Sequence, residues 1–171
     1  MKNRFLKLHL AGLLIVAAGQ IPAQDAGAHA AEVQAIRDNE ARWNREFEAR
    51  DLERIAAHYA DDATLMAPGL PAASGKEAIR SVLQHMVDDA ALSVRFQTQR
   101  VEVAGSGDMA WSQGSYTLTM TDPGTKRPVT SSGSVVTVYR KETGGWMAVS
   151  DIASPGPGPG AQASIPKETN R

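Results

Sequence analysis

The chain has 171 residues, no cysteine and a formal charge of −1 with neutral histidines. That length suggests one domain. The missing cysteine excludes disulfides and an acylated-cysteine anchor, and the lack of a clustered Lys/Arg footprint argues against nucleic acid as a partner.

Lys2, Arg4 and Lys7 precede an apolar run, LAGLLIVAAG, that begins at Leu10 and gives way to small residues. A positive flank, a short apolar core and a small-residue exit make a secretory signal peptide, assigned to residues 1–23, with Ala23 and then Ala30 as cleavage points. The run is well short of the ~20 residues a membrane span needs, so none is expected after signal removal. Removal takes three cations and no acid, leaving 15 basic against 19 acidic residues and a charge near −4. Secretion without disulfides points to a bacterial periplasm.

Residues 24–30 are expected to form a flexible mature N-terminus. From Ala31 to Ala49, Val33, Ile36, Trp43 and Phe47 recur at near-helical spacing among Glu32, Arg37, Glu40 and Arg45, which predicts an amphipathic helix. Asp51 reads as the N-cap of a shorter helix whose buried stripe is Leu52, Ile55, Ala56 and Tyr59. A short strand near 63–67 leads into a Gly/Pro/Ala loop. Ser74 or Gly75 then opens a third helix, with Ile79, Val82, Leu83, Met86 and Val87 inward.

Four segments rich in β-branched and aromatic residues follow, near 92–103, 109–121, 129–141 and 146–153. The breaks AGSGD, TDPGTKRP and ETGG separate them. Helices first and antiparallel strands after them give an α+β domain over 31–153, its helices packed on one face of a curved sheet. The tail from Ser154, SPGPGPGAQASIPKETNR, has too little apolar content to pack and is expected to be disordered.

Several stretches carry a family resemblance: Trp43, ARDLERIAAHYADDATLMAPG (49–69), GKEAIR (75–80), DMAWSQGSY (108–116) and SGSVVTVYRKETGGW (132–146). With a final strand that includes Asp151, they resemble the nuclear transport factor 2-like superfamily. That cone-shaped fold includes ketosteroid isomerases and SnoaL-like polyketide cyclases, and the chain looks most like the small bacterial members grouped as domain of unknown function 4440. In the isomerases a carboxylate precedes the proline that ends the first strand, and a tyrosine and an uncharged acid form an oxyanion hole. The matching positions here are Ala67, Trp43 and Val136, so the resemblance implies the fold without the isomerase chemistry.

On that resemblance, Trp43, Tyr59, Leu65 and Ala67 would face a cavity, together with Trp111, Gln113, Ser115 and Thr117. Ser134 and Val136 would face it from the next strand, and Val149, Asp151 and Ala153 from the last. Asp151 is the candidate acid or base, because an apolar pocket would raise its pKa. His58 and His85 are expected to face solvent, and Asp61 and Asp62 to form a turn. No metal-ligand spacing or Gly-rich phosphate loop is present, so neither metal nor cofactor is expected.

Two functions remain open. One is a non-catalytic module that binds a small hydrophobic molecule. The other is a cofactor-independent isomerase, cyclase or hydrolase built on Asp151. An open cavity with a buried Asp151 would favour chemistry, and a closed or collapsed one a structural role. A homodimer is expected through the open sheet face, with Tyr116, Leu118, Met120 and Tyr139 outward. N-terminal sequencing of the secreted protein should find a start just after Ala23 or Ala30; an intact Met1 would refute the signal assignment.

Overall fold

A computed structural model describes residues 23–156. The expected signal residues up to Ile21 and Pro22, and the tail from Pro157 onward, lie outside the described residues. Three helices come with six strands: α1 (Ala23–Ala49), α2 (Leu52–Ala57), β1 (Tyr59–Met66), β2 (Ala73–Ser74), α3 (Lys76–Val87), β3 (Ser93–Val103), β4 (Met109–Thr121), β5 (Pro128–Glu142) and β6 (Gly145–Pro155). The strands form one sheet in the order β2-β1-β6-β5-β4-β3. Every pairing is antiparallel except that of β1 with β6.

Three boundaries differ from the sequence reading. Helix α1 begins at Ala23, so residues 24–30 are helical, in keeping with the alanines of AQDAGAHAAE. Tyr59 opens β1 rather than closing α2, because the chain at His58 pairs with the last strand: the Ala148 amide donates to the His58 carbonyl at 2.8 Å. Strand β6 runs to Pro155, two residues into the segment assigned to the tail, and the Gly156 amide still donates to the Ser132 carbonyl at 2.8 Å.

α1 lies along the inner face of the sheet and buries Ile36, Trp43 and Phe47. Its Asn44 side chain pairs with the free edge of β3, donating to the Phe96 carbonyl at 2.9 Å and accepting from the Phe96 amide at 3.0 Å. Both groups of an edge residue are thereby satisfied. Asp51 caps α2 by accepting from the Arg54 amide at 3.2 Å. Arg50, in the left-handed region at φ 55°, turns the chain between α1 and α2. Its guanidinium donates to the carbonyls of Val87, Asp89, Ala90 and Leu92, which holds the exit of α3 against the end of α1.

The sheet curves where β3 and β4 approach each other. A bulge lies between Thr98 and Arg100, and Gly114 faces Thr98 across the ladder. A Cβ on Gly114 would collide with the Gln97 carbonyl, so only glycine fits. Gly114→Ala should therefore lower the unfolding free energy by about 1–3 kcal/mol, as overpacking does. Gly105→Ala, with open space around it, should stay within about 0.5 kcal/mol. Chemical denaturation of both variants checks this, and equal midpoints would refute it.

Candidate functional site

Curvature leaves a cavity of about 120 Å³ between the inner sheet face and helices α1 and α3. Most of its wall is apolar: Trp43 and Phe47 from α1, Leu83 and Met86 from α3, and Leu65, Val94, Phe96, Tyr116, Leu118 and Val135 from the strands. Ala67 and Pro68, at the end of β1, also line it. No acid stands where that strand ends.

The chemistry enters from two carboxyl groups. Asp151, on β6, sits opposite Leu65 of β1 and Thr137 of β5. It accepts a hydrogen bond from the Tyr59 hydroxyl at 2.8 Å and a longer one from Thr137 Oγ1 at 3.3 Å. Burial pushes its pKa up to about 6 and the nearby Glu40 charge adds to the rise, while the Tyr59 and Thr137 hydrogen bonds act the other way. Burial and the Asp151 carboxyl together push the Tyr59 hydroxyl well above its usual value, so Tyr59 remains a donor.

Glu40 is the second carboxyl, 4% exposed on α1. It accepts hydroxyl hydrogen bonds from Thr98 on β3, Ser112 on β4 and Tyr139 on β5, the last at 2.7 Å. These three donors occupy the carboxyl, so Glu40 holds the wall rather than offering a reactive group. Sequence reasoning set it among the charges between the apolar positions of the helix. The signal was present: Val33, Ile36, Glu40, Trp43 and Phe47 recur at steps of three and four, which puts Glu40 on the buried stripe.

Of the residues expected at the cavity, the structure brings together Trp43, Tyr59, Leu65, Ala67 and Asp151, with Ala153 beside them. The expected strand phase is wrong on β4 and β5. Trp111, Gln113, Ser115 and Thr117 lie on the outer face, while their neighbours Ser112, Gly114, Tyr116 and Leu118 line the cavity. Ser134 and Val136 likewise turn outward and Val135 and Thr137 inward, so Val136 does not stand at an oxyanion position. Tyr116, Leu118 and Tyr139 therefore belong to the interior and form no outer patch.

The physical reason is alternation. The even-numbered set on β4 (Ala110, Ser112, Gly114, Tyr116, Leu118) is smaller or more apolar than the odd one, and a one-residue slip reverses every side chain. Val149 misses the cavity for a different reason. Val138 pairs with Ser150 but Tyr139 with Ala148, so Val149 is the extra residue of a bulge, which resets the alternation between Ala148 and Asp151.

His58 does not face solvent. It is 5% exposed, stacks on Trp43 at 4.5 Å between ring centroids, and pairs through Nε2 with Glu46 Oε2 at 2.5 Å. Burial lowers its pKa against the pull of Glu46. His85 is exposed, and Asp61 and Asp62 project from β1, bound to Lys76 and Arg140, instead of forming a turn. No cluster of three metal-ligating side chains occurs among the described residues.

Comparison with known proteins gives a consistent family. The model of the SnoaL-like domain matches residues 41–149. A ketosteroid isomerase-like protein from Erwinia carotovora atroseptica superposes with a TM-score of 0.63 at 25% identity, over 72% of this chain and 95% of that one. A putative calcium/calmodulin dependent protein kinase II association domain from Xanthomonas campestris gives 0.60 at 21% identity, over 90% and 99%. A putative dehydratase of the nuclear transport factor 2-like family from Streptomyces avermitilis gives 0.61 at 18%, over 75% and 98%. Curated protein sequences give no match.

The raised Asp151 pKa has a signed consequence. The native state holds this proton up to about pH 6, whereas an unfolded chain releases it near 3.9. The unfolded state therefore binds fewer protons between those values, and native stability falls as pH rises through them. The stability of Asp151→Asn relative to wild type should rise by about 1–3 kcal/mol from pH 4 to pH 7 and then level off. Denaturant titrations across pH 4–8 check this; parallel pH profiles would refute it.

Proposed function

From the SnoaL-like domain family, to which this chain belongs, and from the setting of its half-buried aspartate, we propose cofactor-independent proton transfer on a small, largely apolar carbonyl compound. The observation that carries this reading is a carboxyl with a pKa of about 6 on the wall of an open apolar cavity. Such a group is ionised at neutral pH yet basic enough to take a proton from carbon next to a carbonyl. A collapsed interior would have favoured a structural role.

In this reaction Asp151 accepts the proton and returns it to another atom of the same molecule, or to a leaving hydroxyl. Tyr59 holds Oδ2, and the weaker contact from Thr137 leaves Oδ1 the better placed oxygen to receive the proton. Electron density from the broken C–H bond moves to the carbonyl oxygen. Trp43 lines the cavity, and its buried Nε1 has no acceptor among the described residues. It is the group available to that oxygen.

The cavity limits the substrate. At about 120 Å³ it falls below the roughly 300 Å³ at which pockets for drug-sized ligands begin. A single-ring or short-chain molecule fits, and a steroid does not. Ala67 also lacks the isomerase acid, so a Δ5-3-ketosteroid should not turn over. Secretion, from the charge and apolar pattern of the first residues, would place this activity in the periplasm.

We further propose a homodimer through the outer sheet face. Trp111 lies opposite Val138, and Val136 opposite Ile152, which makes a contiguous apolar strip on that face. Strips of this kind are rarely left open in monomers. Sedimentation should show a dimer at micromolar concentration and a monomer for Val136→Glu; a monomeric wild type would refute this.

Hydrogen–deuterium exchange at the α-carbons of cyclohexanone, followed by NMR, tests the chemistry. Wild type should accelerate exchange over buffer, with a rate that rises through about pH 6. Asp151→Asn should lose ~100- to 10,000-fold. Tyr59→Phe should move the rise to higher pH, because the lost hydrogen bond favours the ionised carboxyl. Saturable cyclohexanone binding without exchange above buffer would overturn catalysis and leave a binding module.

A further inference from the structure

A second and larger recess lies on the other side of the Trp43–His58 stack. It is a cleft of about 330 Å³ between α1, α2 and the turn joining β5 to β6. Trp43 lines the inner cavity and His58 lines the cleft, so the two stacked rings form the partition between them. None of the proton-transfer groups opens onto this side. We propose that the cleft binds a small organic acid, its carboxylate held by Arg42, Arg54 and the Asn39 amide, its apolar body against Trp146 and Met147.

Unused donors make the case. Asn39 is 7% exposed, and its Nδ2 is buried without an acceptor among the described residues. Buried amide donors are normally paired. Its Oδ1 already accepts from Arg42 Nη2, which fixes the amide so that only an incoming acceptor can satisfy the nitrogen. Arg42 otherwise has only a long ion pair, Nε to Glu46 Oε1 at 3.8 Å, and its side chain is 57% exposed. Arg54 meets Asp51 through Nε at 3.3 Å, with a side chain 74% exposed. Both guanidinium groups keep terminal N–H donors, and a carboxylate is the partner that two such donors bind side by side.

The charge balance agrees. Arg42 and Arg54 bring two positive charges to the lining, and Glu46 brings one negative. His58 adds none at neutral pH, because burial lowers its pKa, and it occupies Glu46 Oε2. Asp51, outside the lining, offsets part of the Arg54 charge. The lining residues by themselves carry one net positive charge, with Asp51 paired to Arg54 outside them. Trp146 and Met147 add an apolar surface that inorganic anions cannot use, and the volume falls in the range of small-molecule sites.

The test follows the indole N–H signals of the three tryptophans in nitrogen-15 spectra as benzoate is added. Trp146 should shift saturably with a Kd of roughly 1 mM, while Trp111, on the outer sheet face, should not move. Arg42→Gln with Arg54→Gln should weaken binding at least ~10-fold. If that double variant loses its fold, Arg54→Gln alone must still weaken it. Asp151→Asn should bind benzoate unchanged, which keeps this result separate from the fate of the proton-transfer reading. Neutral benzamide should shift nothing. The proposal is overturned if Trp146 shows no saturable shift by about 50 mM, if the arginine variants bind equally well, or if benzamide matches benzoate. Equal binding of inorganic phosphate would show a general anion site instead, and loss of binding in Asp151→Asn would place the acid in the inner cavity.

Discussion

The arrangement of the inner sheet face depends on one buried carboxylate. Glu40, in the middle of α1, accepts hydroxyl hydrogen bonds from three successive strands through Thr98, Ser112 and Tyr139. An isolated carboxylate in that position would be strongly unfavourable. With three donors, each bond to a charged group contributes about 1.5–3 kcal/mol, and the pairing specifies geometry as well as stability. The helix can dock only where all three hydroxyls point inward. That requirement sets the phase of β3, β4 and β5 together, and so decides which side chains form the cavity.

The helices and every strand but β2, which fell in the expected loop, were readable from the chain because each rests on a local signal. The stripe in α1, the Asp51 cap, the Gly75 start of α3 and the three turn clusters between strands all act over a few residues. Strand phase does not. On β5, Val135, Thr137 and Tyr139 face inward and Val136 and Val138 outward, and neither set is polar enough to exclude it from a core. Only Glu40, nearly a hundred residues away from Tyr139 in sequence, separates the two. The Val149 bulge was invisible for a related reason: it depends on the pairing of β6 with β5, not on any residue within β6.

The two recesses divide the domain's polar chemistry. Asp151 stands in largely apolar surroundings that favour its neutral form and raise its pKa to about 6. His58 and Glu46 lie beyond the Trp43 ring, paired with each other. Tyr59 meets the same indole edge-on, at 5.0 Å. Trp43 is thus more than core filling, since its two sides meet two different environments. Sequence spacing identified it as buried but could not show the histidine on its face, because His58 was expected to point outward.

The parallel pairing of β1 with β6 affects how the molecule comes into being. Tyr59 and Asp151 are 92 positions apart, and their strands join the earliest part of the sheet to the latest. Contacts of such separation form slowly, since a long loop must close before they offer any return. During synthesis the helices and β1 emerge well before their partner strand. Until β6 arrives, Tyr59 has no carboxyl to hold and His58 no strand to meet. A chain truncated before β6 therefore loses the Asp151 carboxyl and the closure of the sheet together, so a partly made domain carries Tyr59 without its acceptor.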